Sequence, residues 1–171
     1  MCLYTNQEKP KTATEPIRCM KVVRKNVEGQ FLPLVYRGYG NSISYTIGEE
    51  TSILPFERES FATPLPIEAE TIITKEGFQV DRGLHTYTMW NISILCLAKR
   101  WTKSTYVILE CEIPVGALYY EGHTNTLYSP LSPLMTDETG FVSDKLRVVR
   151  EVPLLELEDI LGNKTGGEKC V

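Results

Sequence analysis

Residues 83–121 read GLHTYTMWNISILCLAKRWTKSTYVILECEIPVGALYYE, the most apolar part of the chain, and hold both tryptophans, Trp90 and Trp101, and one of two histidines, His85. Gly83 to Tyr87 reads as a tight turn. From Met89 to Trp101 the residues Trp90, Ile94, Leu97, Ala98 and Trp101 recur at the spacing of one helical face. Thr88 suits the N-cap, where its hydroxyl accepts a bond from an otherwise unpaired amide. A strand competes, because Ile92, Ile94 and Cys96 also alternate; the spacing favours helix. Thr105 to Ile113 then alternates cleanly, with Val107, Leu109, Cys111 and Ile113 on one side and Tyr106, Ile108, Glu110 and Glu112 on the other. One fully apolar face predicts an antiparallel, half-exposed sheet. Ile113-Pro114 closes the strand, and Val115-Gly116 turns the chain into Leu118 to Glu121.

Working outward, Ile17 to Val23 alternates as a first strand. Asn26 to Gly29 is a turn, and Phe31 to Tyr36 a second strand whose proline places it at an edge. Ser42 to Ile47 follows a glycine-rich loop as a short strand. Glu49 to Pro66, with three prolines and no period, reads as a long surface connection. Ala69 to Thr74 and Lys145 to Val152 read as further strands, with a loop from Thr124 to Gly140 and a short acidic amphipathic helix or turn from Pro153 to Leu161. The expected fold is α+β: one domain over residues 17–161, a mainly antiparallel sheet, one principal helix at about 89–101, and long loops. Residues 1–16 read as a polar arm and 162–171 as a flexible tail.

The 171 residues suffice for a substantial core without disulfides or metal. A net charge of −4 with scattered basic residues argues against nucleic acid as partner. No run approaches the ~20 apolar residues that span a bilayer, and the first residues lack a signal-peptide core, so no membrane partner and a cytoplasmic location are expected. Five cysteines without a CxxC pair suggest neither a disulfide framework nor a zinc site. No cofactor is expected.

Four candidate sites carry chemistry. Cys2, if exposed by loss of Met1, would place a thiol beside an α-amine, as in N-terminal-nucleophile enzymes. Tyr36-Arg37-Gly38 with Glu110-Cys111-Glu112 superficially resembles arginine-first ADP-ribosyltransferases, in which a guanidinium clamps phosphates and carboxylates oppose developing positive charge. The resemblance would assign Arg37 and Glu112, and an enzyme of this kind would hold them in one cleft with His85. The pattern departs from that family, since Ser42-Ile43-Ser44 follows Arg37 too soon and both glutamates fall mid-strand on the solvent side. His85 follows a glycine, where a general base or a ligand contact is possible. Finally, nine tyrosines are many for this length. Tyr36, Tyr39, Tyr45, Tyr87, Tyr119 and Tyr120, with Arg37 and His85, form the expected binding surface, because exposed tyrosine is enriched at interfaces.

Met1 to Tyr4, Gly83 to Tyr87, and Ile113 to Gly116 with Tyr119-Tyr120 together resemble a loosely defined group of small uncharacterised proteins from gut bacteria and their phages. The Gly-x-His element is also similar to one in domains of unknown function found beside pentapeptide repeats. Neither group has an established activity, so the resemblance implies a bacterial or phage accessory protein and supplies no catalytic residue. The expected function is non-catalytic binding of a protein or a small molecule. The alternatives are an ADP-ribosyltransferase-like or other nucleotide-handling enzyme, and a structural component of a phage particle.

Overall fold

The computed structural model describes residues 3–33, 43–53, 62–64, 78–80, 83–89, 106–124, 138–153, 155–157 and 159. Twelve short strands cover most of them: β1 (Leu3–Thr5), β2 (Lys11–Thr12), β3 (Ile17–Lys25), β4 (Phe31–Pro33), β5 (Glu50–Ser52), β6 (Ala62–Pro64), β7 (Phe78–Val80), β8 (Leu84–Thr88), β9 (Tyr106–Ile113), β10 (Leu118–Thr124), β11 (Glu138–Ser143) and β12 (Lys145–Glu151). They form one open antiparallel sheet in the order β5-β12-β9-β3-β8-β11-β10-β1-β7-β6, with β2 also on β10 and β4 also on β3. Among the described residues helix is confined to Leu155–Leu157 and Asp159. The fold is mainly β, which corrects the α+β expectation. The predicted principal helix lies outside the described residues beyond Met89.

The alternating stretches form the centre. β9 pairs with β3 from Ile17↔Ile113 to Arg24↔Tyr106, and with β12 on its other edge. Period-two alternation there sorts the side chains onto two faces. A cysteine face carries Cys19, Val23, Leu109, Cys111, Ile113, Leu146 and Val148, which join Leu84, Phe31, Tyr45, Ile53 and Phe141 in one buried cluster. A glutamate face carries Arg18, Met20 and Val22 opposite Glu112, Glu110 and Ile108. Met20, Val22 and Ile108 are buried as well. The half-exposed sheet expected from β9 alone is therefore covered on both sides at its middle. Farther along, Leu3, Val80, Tyr120 and Val142 form a second buried cluster.

Two turns follow their residue chemistry. Asn26 accepts the amides of Glu28 and Gln30 on its side-chain oxygen, and Gly29 takes a φ of 81°, closing the β3–β4 hairpin. Gly116, at φ 82°, turns β9 into β10, and Ala117 donates to Pro114. Tyr45 bridges Phe31, Ile47 bridges Val148, and β5 pairs with β12, so residues 45–52 tie one region of the sheet to another.

Four local expectations change. Residues 3–5 and 11–12, read as a polar arm, are strands on β10, because Leu3 and Ala13 are apolar anchors within polar surroundings. The 49–66 connection contains β5 and β6. The loop read up to Gly140 gives way to β11 from Glu138. Gly83 to Tyr87 is not a turn: β8 runs from Leu84 to Thr88 between β3 and β11, and only Gly83 has turn-like backbone. The Ala69–Thr74 strand lies outside the described residues.

Gly83 has φ 137°, and a Cβ there would sit 2.0 Å from Val142 Cγ1. Val142 is fully buried and β-branched, so it cannot swing aside. Gly83→Ala is expected to cost about 2–5 kcal/mol, from backbone strain plus overpacking. Urea unfolding of the variant measures it; a loss below ~1 kcal/mol would show that β8 and β11 separate easily.

Candidate functional site: a charged sheet face and a neighbouring cleft

Those of the expected site residues that are described do not assemble into one surface. Tyr36, Arg37 and Tyr39 lie outside the described residues. Tyr45, Tyr87 and Tyr120 are buried, so the structure corrects their reading as exposed contacts. Tyr119 is half-buried and packs edge-on against Phe141, with ring centroids 6.1 Å apart. Tyr119 and Tyr120 are consecutive strand residues and therefore point to opposite faces. The misreading has a simple source: a tyrosine ring fills core space while its hydroxyl finds a polar neighbour, so a tyrosine in a polar stretch is not thereby exposed.

His85 is half-buried on β8, opposite Val142. Its row does not coincide with that of Glu112. Tyr87 and Glu110 both pair with Met20, and β8 and β9 flank β3. His85 and Glu112 thus lie two residues from that row in opposite directions, about 13 Å along the strands and about 10 Å across them. A single catalytic centre does not hold both.

Glu110 and Glu112 instead belong to an ion-pair array on the glutamate face. Arg18 donates through Nη2 to Glu110 Oε1, and Arg150 Nε donates to Glu110 Oε2 at 2.7 Å. Arg150 then spends both terminal nitrogens on Glu156, at 2.6 and 2.7 Å. This fork pins the helical turn that follows β12 to the sheet and holds the Glu156 carboxyl below its usual range. Arg147 Nη1 donates to Glu112 at 3.0 Å, and Glu50 lies 3.9 Å from Lys145 and 4.0 Å from Arg147. A bulge between Val148 and Arg150 lets β12 turn Arg147 and Arg150 to one face. Arg18, Arg147 and Arg150 were not among the sequence candidates. Their only signal is alternation within Ile17–Val23 and Lys145–Val152, and it becomes informative once β9 is known to lie between those strands.

The cysteine face holds one charge in the core. Lys21 is only 7% exposed, its ammonium donates to the His85 carbonyl at 2.5 Å, and it lies 5.2 Å from the centre of the Tyr45 ring. The carbonyl and the π-face together replace part of its lost hydration. Beside it, Cys19 and Cys111 are buried free thiols directly opposite each other. Burial pushes Cys19 up to about 12 and raises Cys111 further. The Val152 amide donates to the Ile108 carbonyl, so even-numbered β9 residues direct their backbone toward β12 and Cys111 directs its own toward β3. In such a hydrogen-bonded pair the Cβ atoms stand at the wide end of about 4.5–5.5 Å, beyond the ~3.8 Å of a disulfide.

Near Tyr45 a cleft of about 360 Å³ opens between the hairpin turn and the bridging segment. Its walls are Glu28, Gly29, Gln30 and Phe31 on one side and Ser44, Tyr45, Thr46 and Ile47 on the other. Among the described residues no group of three or more His, Cys, Asp or Glu could hold a metal ion. No described helix is long and apolar enough to cross a membrane. No family model, curated protein or solved structure matches the chain.

Two predictions follow from this geometry. Glu110→Ala is expected to destabilise by roughly 1–2 kcal/mol, a value discounted because Arg18 remains largely solvated, whereas Glu112→Ala stays within ~0.5 kcal/mol. Parallel denaturant titrations decide it, and equal losses would refute the buried role of Glu110. With iodoacetamide at mildly alkaline pH, Cys19 and Cys111 should stay unmodified in the folded protein and react once it is unfolded. Peptide mass spectrometry reads this directly.

Proposed function

We propose that the protein is a non-catalytic binding module, with the cleft between residues 28–31 and 44–47 receiving a small molecule or a short peptide segment. The supporting observation is the cleft itself. Its volume of about 360 Å³ falls at the lower end of ligand sites, which run about 300–1,000 Å³. Exposed groups, Glu28, Gln30, Ser44, Thr46 and Ile47, rim a buried aromatic floor formed by Phe31 and Tyr45. Among the described residues, Glu110 and Glu112 are held in ion pairs and Cys19 and Cys111 are buried thiols. The nucleotide-handling alternative requires Glu112 to leave Arg147 and act beside Arg37.

The test is an amide-resolved NMR titration with a fragment library that includes nucleotides and dinucleotides, backed by thermal shift. A true ligand at 100 times its dissociation constant adds about 2.7 kcal/mol to stability. Perturbations confined to residues 28–31 and 44–47 are expected. A dinucleotide that perturbs Glu112 and Arg147 instead would move the assignment to the enzyme. A library that leaves the cleft unperturbed would remove it as the site.

A further inference from the structure

One wall of the cleft leaves the backbone of a single residue unpaired. Glu49 N donates to the Thr46 carbonyl at 3.2 Å, and Gly48, at φ 85°, is the third residue of that turn, the type II pattern. Gly48 N donates to the Val148 carbonyl at 2.8 Å, which ties the turn to β12. In a trans peptide unit the C=O and the N–H point in opposite directions. The Thr46 carbonyl turns in toward Glu49, so the Ile47 N–H turns out. The Gly48 N–H turns to β12, so the Ile47 C=O turns away from it. Two residues earlier, Tyr45 N donates to the Phe31 carbonyl at 2.9 Å, so the side of this segment away from β12 is the side that faces the hairpin. Among the described residues neither backbone group of Ile47 has a hydrogen-bond partner, and Ile47 lines the cleft.

From this pair of groups we propose that the cleft receives an extended, basic peptide, one residue of which exchanges two hydrogen bonds with Ile47. The inference rests on the cleft reading above and narrows it. An N–H and a C=O of one residue that face the same way are matched by the C=O and N–H of a second residue, as in the hydrogen-bonded pairs of an antiparallel sheet. Strand addition of this kind draws affinity from the main chain and specificity from pockets for side chains. The space of about 360 Å³ beside Phe31 and Tyr45 is such a pocket.

Charge sets the preference for a basic peptide. Glu28 is the one charged side chain that lines the cleft, and among the described residues it makes no ion pair. Lys25, just before the hairpin turn, is engaged by Glu151 at 2.6 Å, and the buried Lys21 is directed to the His85 carbonyl. A lysine flanking the seated residue would answer Glu28, whereas an acidic side chain there would meet it unscreened by any base of the lining. The Gln30 side-chain oxygen is taken by Asn26 Nδ2 at 2.9 Å, which leaves the Gln30 amide protons for a peptide carbonyl.

The test is an amide-resolved NMR titration of the full chain with acetyl-Lys-Thr-Val-Thr-Val-amide. Shifts should centre on residues 28–31 and 44–47, with the Ile47 amide among the largest. Two copies of the peptide carry N-methyl groups, one on its odd residues and one on its even residues. Backbone groups of an extended strand alternate in direction, so one copy should bind about tenfold more weakly and the other within about threefold of the parent. Ile47→Pro removes the unpaired N–H at a turn position that proline favours, so it should fold and yet bind about tenfold more weakly. Ile47→Ala keeps the N–H, controls for the lost side chain and should bind within about threefold. A glutamate in place of the peptide's lysine should cost about threefold at low salt. The N-methyl comparison uses the unaltered protein and so decides even where a variant misfolds. Equal binding by both N-methyl copies, unaltered binding by a folded Ile47→Pro, or tighter binding of the glutamate peptide would overturn the proposal. If no peptide binds while a small-molecule fragment perturbs residues 28–31 and 44–47, the peptide assignment fails and the cleft stands; silence toward both removes the two together.

Discussion

A carboxylate inside a β-sheet costs several kcal/mol unless positive charge meets it, and Glu110, 4% exposed, imposes that condition on the strands around it. Arg18 satisfies it from β3 and Arg150 from β12. Both must then lie on the same face of the sheet as Glu110, which requires β9 to sit between them in the observed register. A slip of one residue in either pairing would turn an arginine to the cysteine face and leave the carboxylate unanswered. The bulge in β12 and the docking of the helical turn through Glu156 follow from the position this fixes for Arg150.

The two faces of this central region do different work. The cysteine face is an apolar interior that admits a single ammonium, Lys21, and buries two thiols too deeply to react. The glutamate face is apolar where β3 meets β8 and charged where β9 meets β12.

Much of the centre was legible in the sequence. The alternation in Ile17–Val23, Thr105–Ile113 and Lys145–Val152 located three adjacent strands, and Asn26 to Gly29 and Val115-Gly116 located two turns. These are local signals, set by side-chain period and by backbone that tolerates positive φ. What depends on pairing was not legible. Leu3–Thr5 and Glu138–Gly140 are too short and too polar to show a period, and they become strands because β10 offers them partners. Gly83 followed by His85 looked like a turn into a helix, yet the glycine serves a close approach to Val142. The site suffered most, because whether Tyr45, Tyr87 and Tyr120 face solvent depends on neighbours that come from distant segments.

The short strand β1 lies between β10 and β7, and among the described residues β7 and β6 join the sheet only through it. Leu3 pairs with Thr124 on one side and with Val80 on the other. During synthesis, therefore, β1 waits for a strand made much later, and the β6–β7 pair cannot join the sheet before β10 exists. Contacts so distant along the chain slow folding toward the millisecond-to-second range. They also leave two apolar groups, Leu3 and Val80, open to wrong partners while the chain is incomplete. β1 behaves less like an appendage than like a keystone set last.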